Sequence, residues 1–221
     1  MMFDVLGYNF PHWKTNNGIL NLVSNGFIPN HVILQQKKEL KFKQSKYRIS
    51  PICKESIHPK DLCKLFDLTV FVKDHDDWEP RNQFAIILGA RILSKGLIER
   101  YPKGILNIHP GILPGNRGLD NLKWSIINNL PIGITAHWID EKIDMGRIIK
   151  KVTVPIYHDD TIRDVFIRSR QMEIDLLIDV MKDLNFEGEP CGFSKKFDCV
   201  PDELDNNIEQ YWIEYKKNNI K

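Results

Sequence analysis

Gly104-Ile105-Leu106-Asn107-Ile108-His109-Pro110-Gly111-Ile112-Leu113-Pro114-Gly115-Asn116-Arg117-Gly118 joins a short apolar run to a loop dense in proline and glycine. Ile105 to His109 reads as a strand, in which side chains two apart share a face. Asn107 and His109 therefore project together, about 6–7 Å apart. An amide and an imidazole are poor material for a hydrophobic sheet, so the pair asks for another explanation. The prolines and glycines that follow end regular structure. The pair thus sits at the C-terminal end of a strand, the edge at which open α/β sheets bind ligands.

Working outward, Phe84 to Leu88 is a continuous apolar run suited to a sheet covered on both faces. A loop, Gly89-Ala90-Arg91-Ile92-Leu93, and a helix from Ser94 to Tyr101 lead into the central strand. Beyond the loop, Leu119 to Leu130 reads as a helix stopped by Pro131, and Gly133 to Ile139 as another strand. The turn Asp140 to Gly146 and an extended run from Arg147 to Ile156 follow. Thr161-Ile-Arg-Asp164 carries a capping-box pattern, and a helical stripe runs from Ile162 to about residue 184.

Towards the N-terminus, Phe3 to Tyr8 and His31 to Leu34 read as strands around a helix from a cap-like Thr15 to Val23. Gln35 to Lys46 is polar and basic, a solvated loop with phosphate binding as the competing reading. His58 to Phe66 begins a helix with Pro59 in its first turn, and Leu68 to Val72 is β-branched and aromatic. Asp74 to Pro80 is acidic; a solvated turn is favoured over a metal site built on its carboxylates and His75.

Strands alternating with helices through residue 184 predict an α/β fold: Rossmann-like, a mostly parallel sheet with helices on both faces. Residues 1–184 are expected to form one domain and 185–221 a connector followed by a helix. The spacing of Leu204, Ile208, Tyr211, Trp212 and Tyr215 gives that helix an aromatic face, to be covered by its own domain or by a second copy in a homodimer.

With 31 basic and 29 acidic residues the chain offers no concentrated basic stripe for nucleic acid. No apolar run reaches a membrane span, and Met1 to Gly7 lacks the pattern of a signal peptide. Cys53, Cys63, Cys191 and Cys199 form no close pair and read as reduced thiols of a cytoplasmic protein.

Asp144 falls at the same predicted rim as Asn107 and His109. An oxyanion donor and a proton acceptor together suit acyl transfer. There is no Gly-x-Ser-x-Gly and no cysteine in this stretch, which argues for direct attack by a substrate amine.

The motifs Leu106-Asn107-Ile-His109-Pro-Gly-Ile-Leu-Pro114-x2-Arg117-Gly118 and Ile132-Gly-Ile-Thr-x-His137-Trp-Ile-Asp140-Glu-x-Ile-Asp144-x-Gly146 resemble those of the folate-dependent formyltransferases, with Phe84 to Leu93 as a third, weaker match. The resemblance covers roughly residues 82–184. It implies a catalytic Asn107, a protonated His109 and Asp144, with Asp144 raising the proton affinity of the imidazole. It also implies N10-formyltetrahydrofolate as formyl donor, with no metal. The pterin would be held around Ala90, Arg91, Ile92, Leu93, His137, Asp140, Glu141, Lys142 and Ile143.

Departures narrow the acceptor. Lys142 and Met145 replace a common glycine and threonine. Gly7-Tyr-Asn9-Phe-Pro11-His-Trp13-Lys14-Thr15 puts aromatics where glycinamide ribonucleotide enzymes have a small-residue phosphate loop. The segment after 184 is too short and too weakly basic for the RNA-contacting domain of methionyl-tRNA formyltransferases. A nucleotide-linked amino sugar is then the expected substrate; Tyr8, Phe10 and Trp13 either stack on it or serve as core or interface residues, and Arg117 either meets a phosphate or orders its own loop. The competing readings are glycinamide ribonucleotide formylation, hydrolysis of formyltetrahydrofolate, and a non-catalytic folate- or nucleotide-binding module.

Overall fold

The computed structural model describes residues 2–37 and 57–220; the greater part of the basic loop expected at 35–46 lies outside them. The first half alternates β1 (Phe3–Tyr8), α1 (Trp13–Ser24), β2 (His31–Gln35), α2 (Pro59–Leu65), β3 (Val70–Val72), β4 (Phe84–Ile87), α3 (Lys95–Glu99) and β5 (Gly104–His109). Then come β6 (Arg117–Gly118), α4 (Asn121–Ile127), β7 (Gly133–Trp138), β8 (Arg147–Thr153) and α5 (Ile162–Lys182). The chain ends with β9 (Glu189–Pro190), β10 (Lys196–Phe197), α6 (Asp202–Asp205) and α7 (Ile208–Asn219).

Eight strands form one sheet in the order β3-β2-β1-β4-β5-β7-β8-β9. The pairs from β3 to β5 are parallel; β7, β8 and β9 add on antiparallel. The sheet is therefore mixed and mostly parallel, with helices on both faces. One face carries the larger core, in which Val5, Leu34, Ile86, Leu106, Ile134 and Trp138 pack with Ile19, Leu22, Val165 and Leu177 of α1 and α5. The other carries a smaller core of Leu6, Ile33, Ala85 and Ile105 with Leu97 and Tyr101. Ile105, Asn107 and His109 share this second face, so the polar pair continues an apolar row.

Local chemistry adjusts several boundaries. The first helix begins two residues before Thr15 because the His12 ring accepts the Thr15 N–H at 3.3 Å. Burial pushes that imidazole down to about 4, which keeps it neutral and able to accept. Thr15 instead donates to Leu88 O at 2.9 Å, tying α1 to the end of β4. The capping box forms as expected, Thr161 accepting from the Asp164 N–H at the start of α5. His75 is buried at the heart of the acidic loop, its Nε2 within 3.1 Å of both Gly7 O and Ile33 O. Among the described residues no cluster of three metal-ligating side chains exists, and no helix is long and apolar enough to cross a membrane.

The segment after residue 184 is woven into the same structure. β9 extends the main sheet, and β10 pairs with β6. Ile208, Trp212 and Tyr215 are buried against the larger core, with Trp212 Nε1 donating to Asp160 O and the Tyr215 hydroxyl to Leu130 O. The aromatic face of α7 is thus covered by its own chain. A buried ion pair of 2.5 Å between Lys123 and Asp205 fastens α6 to α4.

Asp4, fully buried on β1, joins the sheet to the loop over its second face. Its carboxylate accepts from Trp78 Nε1 at 3.0 Å, the Tyr101 hydroxyl at 2.9 Å and Asn82 Nδ2, and lies 2.9 Å from His31 Nδ1. Replacing it strands several buried donors at once. Asp4→Ala is expected to lower the free energy of unfolding by about 3–5 kcal/mol, measured by urea denaturation; a loss below about 1 kcal/mol would contradict this role.

Candidate active site

The antiparallel pairing of β5 with β7 sets Asn107 opposite His137 and His109 opposite Thr135. The Thr135 hydroxyl donates to Gly111 O at 2.7 Å and accepts from the Leu113 N–H at 3.1 Å, pinning the loop that leaves β5. Gly111 is required where that loop turns over the imidazole. A Cβ there would come within 2.5 Å of Asn116 O and 2.9 Å of His109 Nε2.

His109 is almost wholly enclosed. Its Nε2 lies 2.9 Å from Asn116 O, an oxygen that can only accept, so Nε2 carries the proton. Nδ1 then faces Asp144 Oδ1 at 3.5 Å. The other carboxylate oxygen, Oδ2, accepts the Gly118 N–H at 3.0 Å. Asp144 adopts a left-handed backbone with φ of 53°, which aspartate tolerates better than most residues. Two residues on, a Cβ at Gly146 would fall 1.8 Å from Trp138 O, so only glycine lets the turn close against β7.

Three side chains expected at one rim, Asn107, His109 and Asp144, therefore converge, and a fourth joins them. His137, expected beside the pterin, is fully buried between Asn107 and Asp144. Its Nε2 lies 3.3 Å from Asn107 Nδ2 and 3.8 Å from Asp144 Oδ1, and its ring stands at 90° to that of His109. Burial pushes the His137 imidazole down to about 4, with the neighbouring His109 acting in the same direction. Its enclosure fits it to orient the pair rather than to meet a ligand.

The ring of His109 corrects a second expectation. Burial lowers its proton affinity below the ordinary value, and the Asp144 carboxylate pulls it back up without overcoming the burial. The ring binds a proton less readily than an ordinary imidazole, where a carboxylate-raised affinity had been expected. Nδ1 offers a lone pair, and a proton arriving there would be met by the carboxylate.

For Arg117, left between a phosphate and its own loop, the contacts favour the loop-ordering reading. Its Nε and Nη2 donate to Ile143 O and its Nη1 to Ser194 O, so this buried guanidinium has little left for a phosphate. It clamps the turn carrying Asp144 to the strap between β9 and β10. Sequence reasoning missed this strap, whose two-residue strands are too short for a periodic signal.

The other expected residues lie around this centre. Ile92 is exposed at the lip of the loop after β4, while Leu93, Ala90, Ile87 and Ile139 line an apolar patch beneath it. Lys95 Nζ meets Glu141 at 3.2 Å, bridging this side to the turn of Asp140 to Ile143. Asp140 Oδ1 accepts the Lys142 N–H at 2.9 Å, shaping that turn. Arg91 is paired with Asp74 at 2.7 Å, so its backbone rather than its side chain is left for a ligand. Near the end of β1, Tyr8 stacks on Phe10 at 4.8 Å, with Trp13 half-buried at the start of α1.

Arg117→Met is expected to free the turn of Asp144. Backbone amide exchange at Gly118 and residues 143–146 should quicken at least about tenfold, read by mass spectrometry. Unchanged exchange would show that the clamp does not hold the turn.

Comparison with known proteins agrees with this geometry. Residues 82–181 match the family described as formyl transferase. The chain is 36% identical over 93 residues to methionyl-tRNA formyltransferase of Trichlorobacter lovleyi, covering 42% of this chain and 29% of that protein. It is 34% identical over 93 residues to phosphoribosylglycinamide formyltransferase of Haemophilus influenzae, covering 42% and 44%. The match thus spans less than half the length of either relative. The N-formyltransferase of Helicobacter canadensis, solved in complex with folinic acid and dTDP-3-aminofucose, shares the fold at a TM-score of 0.68 and 20% identity, over 96% of this chain and 81% of that one. Residues 82–181, which contain the Asn107, His109 and Asp144 rim, are thus the part of this chain that is similar to the formyl transferases.

Proposed function

We propose that this protein transfers a formyl group from N10-formyltetrahydrofolate to the amine of a nucleotide-linked amino sugar, by direct attack of that amine. The observation carrying the reading is the meeting of Asn107, His109 and Asp144 at one strand edge, with Nδ1 and Oδ1 3.5 Å apart. Formyl transfer needs a donor for the developing negative oxygen and an acceptor for the proton of the amine.

The folate supplies an electrophilic formyl carbon. Asn107 Nδ2 donates to the oxygen on which charge develops. His109, neutral at rest, takes the amine's proton at Nδ1, where Asp144 Oδ1 stabilises the imidazolium. The same proton then returns to the departing nitrogen, leaving both residues as they began. Backbone groups of residues 90–93 and 140–143 hold the pterin against Ala90, Leu93 and Ile139. Tyr8, Phe10 and Trp13 offer rings to the acceptor's base or sugar. An aromatic loop of this kind, in place of small phosphate-binding residues, favours a nucleotide sugar over glycinamide ribonucleotide. The solved Helicobacter canadensis relative, similar in fold, holds a ligand of that chemistry.

Incubation with N10-formyltetrahydrofolate and a panel of nucleotide-linked amino sugars should give a product heavier by one formyl group in place of hydrogen. Formylation of glycinamide ribonucleotide alone would overturn the choice of acceptor. His109→Ala and Asp144→Ala should each cut turnover by roughly a hundredfold or more; undiminished turnover in both would refute the assignment. Because the acceptor is the neutral ring, kcat/KM should fall as pH drops through the His109 value, which lies below 6.5. An activity that rises on acidification would point to imidazolium as the working form.

A further inference from the structure

A second cluster of charge lies beside the candidate site, across α1, β5 and α5. Lys14, on the first turn of α1, reaches into the protein and donates from Nζ to Ile108 O, the carbonyl immediately before His109. Its ammonium meets Glu173 Oε2 at 3.2 Å, and the Glu173 side chain is fully buried. Glu173 Oε1 accepts from Arg170 Nη1 at 2.7 Å. A lysine side chain in this position costs solvation and rotamer freedom. Where the structure needs only a cap for the Ile108 carbonyl, a neutral donor would serve at lower cost.

We infer that Lys14, balanced by Glu173, is a positioning residue for His109, holding the catalytic strand in place and keeping its imidazole in the proton-accepting form. This rests on reading His109 as the group that handles the proton. The charges facing the ring are the Asp144 carboxylate, Lys14 and Glu173, with His137 beside it. Asp144 and Glu173 favour the imidazolium, whereas Lys14 opposes it and outweighs Glu173. Burial depresses the proton affinity of Lys14 itself, and the Glu173 carboxylate, 3.2 Å away, opposes that fall. Without such a cation, burial alone would oppose the two carboxylates, the ring would hold a proton more readily, and a ring already protonated cannot take a proton from the incoming amine.

Histidine-selective NMR titration of the protein alone tests this without any substrate. Lys14→Met should raise the His109 midpoint by on the order of one pH unit, and Glu173→Gln should lower it. Lys14→Gln with Glu173→Gln removes both charges together and should give a rise smaller than that of Lys14→Met. This double variant leaves no unpaired charge between the two positions, so it reports even where a single variant does not fold. Lys14→Arg should restore the wild-type midpoint. A midpoint unmoved in Lys14→Met and in the double variant, or moved the same way by Lys14→Met and Glu173→Gln, would overturn the inference. Absence of formyl transfer by the wild-type protein would count against the proposed reaction and leave this result standing.

Discussion

The carboxylate of Asp144 is gripped from two sides, and much of the surrounding structure exists to make that grip hold. One oxygen takes the Gly118 N–H and the other faces His109. Neither contact is local, since the turn and the loop are separated by α4 and β7. The guanidinium of Arg117 ties the turn to the strap before β10, Thr135 ties the loop to β7, and Gly146 lets the turn lie against Trp138. Loosening any of these would shift the Asp144 carboxylate relative to the His109 ring, 3.5 Å away.

The electrostatics of the site are a contest between burial and charge. His109 and His137 lie in surroundings that penalise an imidazolium, yet an aspartate stands within 4 Å of both. Burial prevails at rest. An enclosed polar site whose groups do not already neutralise one another is in this sense preorganised for charge that develops within it. The buried pair of Lys14 and Glu173 pushes the same balance from the opposite side of β5.

Much of the fold could be read from the chain because its signals are short-range. The apolar run at Phe84, the alternation around Asn107 and His109, Pro59 at a helix start and the capping box at Thr161 each act within a turn or a few residues. The candidate triad was legible for the same reason: polar residues at alternate positions, next to loop formers, have few structural uses. Arg117 was left between a phosphate and its own loop, and His137 was assigned to a ligand, because arginine and histidine are versatile and their partners lie far away in sequence. The net direction of the shift in the proton affinity of His109 was misjudged because an adjacent carboxylate can be foreseen from a motif, whereas the depth of burial that opposes it cannot.

Sequence alone determined the order of the longer strands and helices, and that Asn107 and His109 would share a face at a strand's end, because backbone periodicity and turn chemistry are properties of neighbouring residues. Only the tertiary structure decided that three antiparallel strands complete the sheet, that the C-terminal helix covers its own domain, that Arg117 braces rather than binds, and that a buried lysine stands behind His109. Those outcomes depend on packing and desolvation between segments distant in the chain, and neither is written in any one stretch of it.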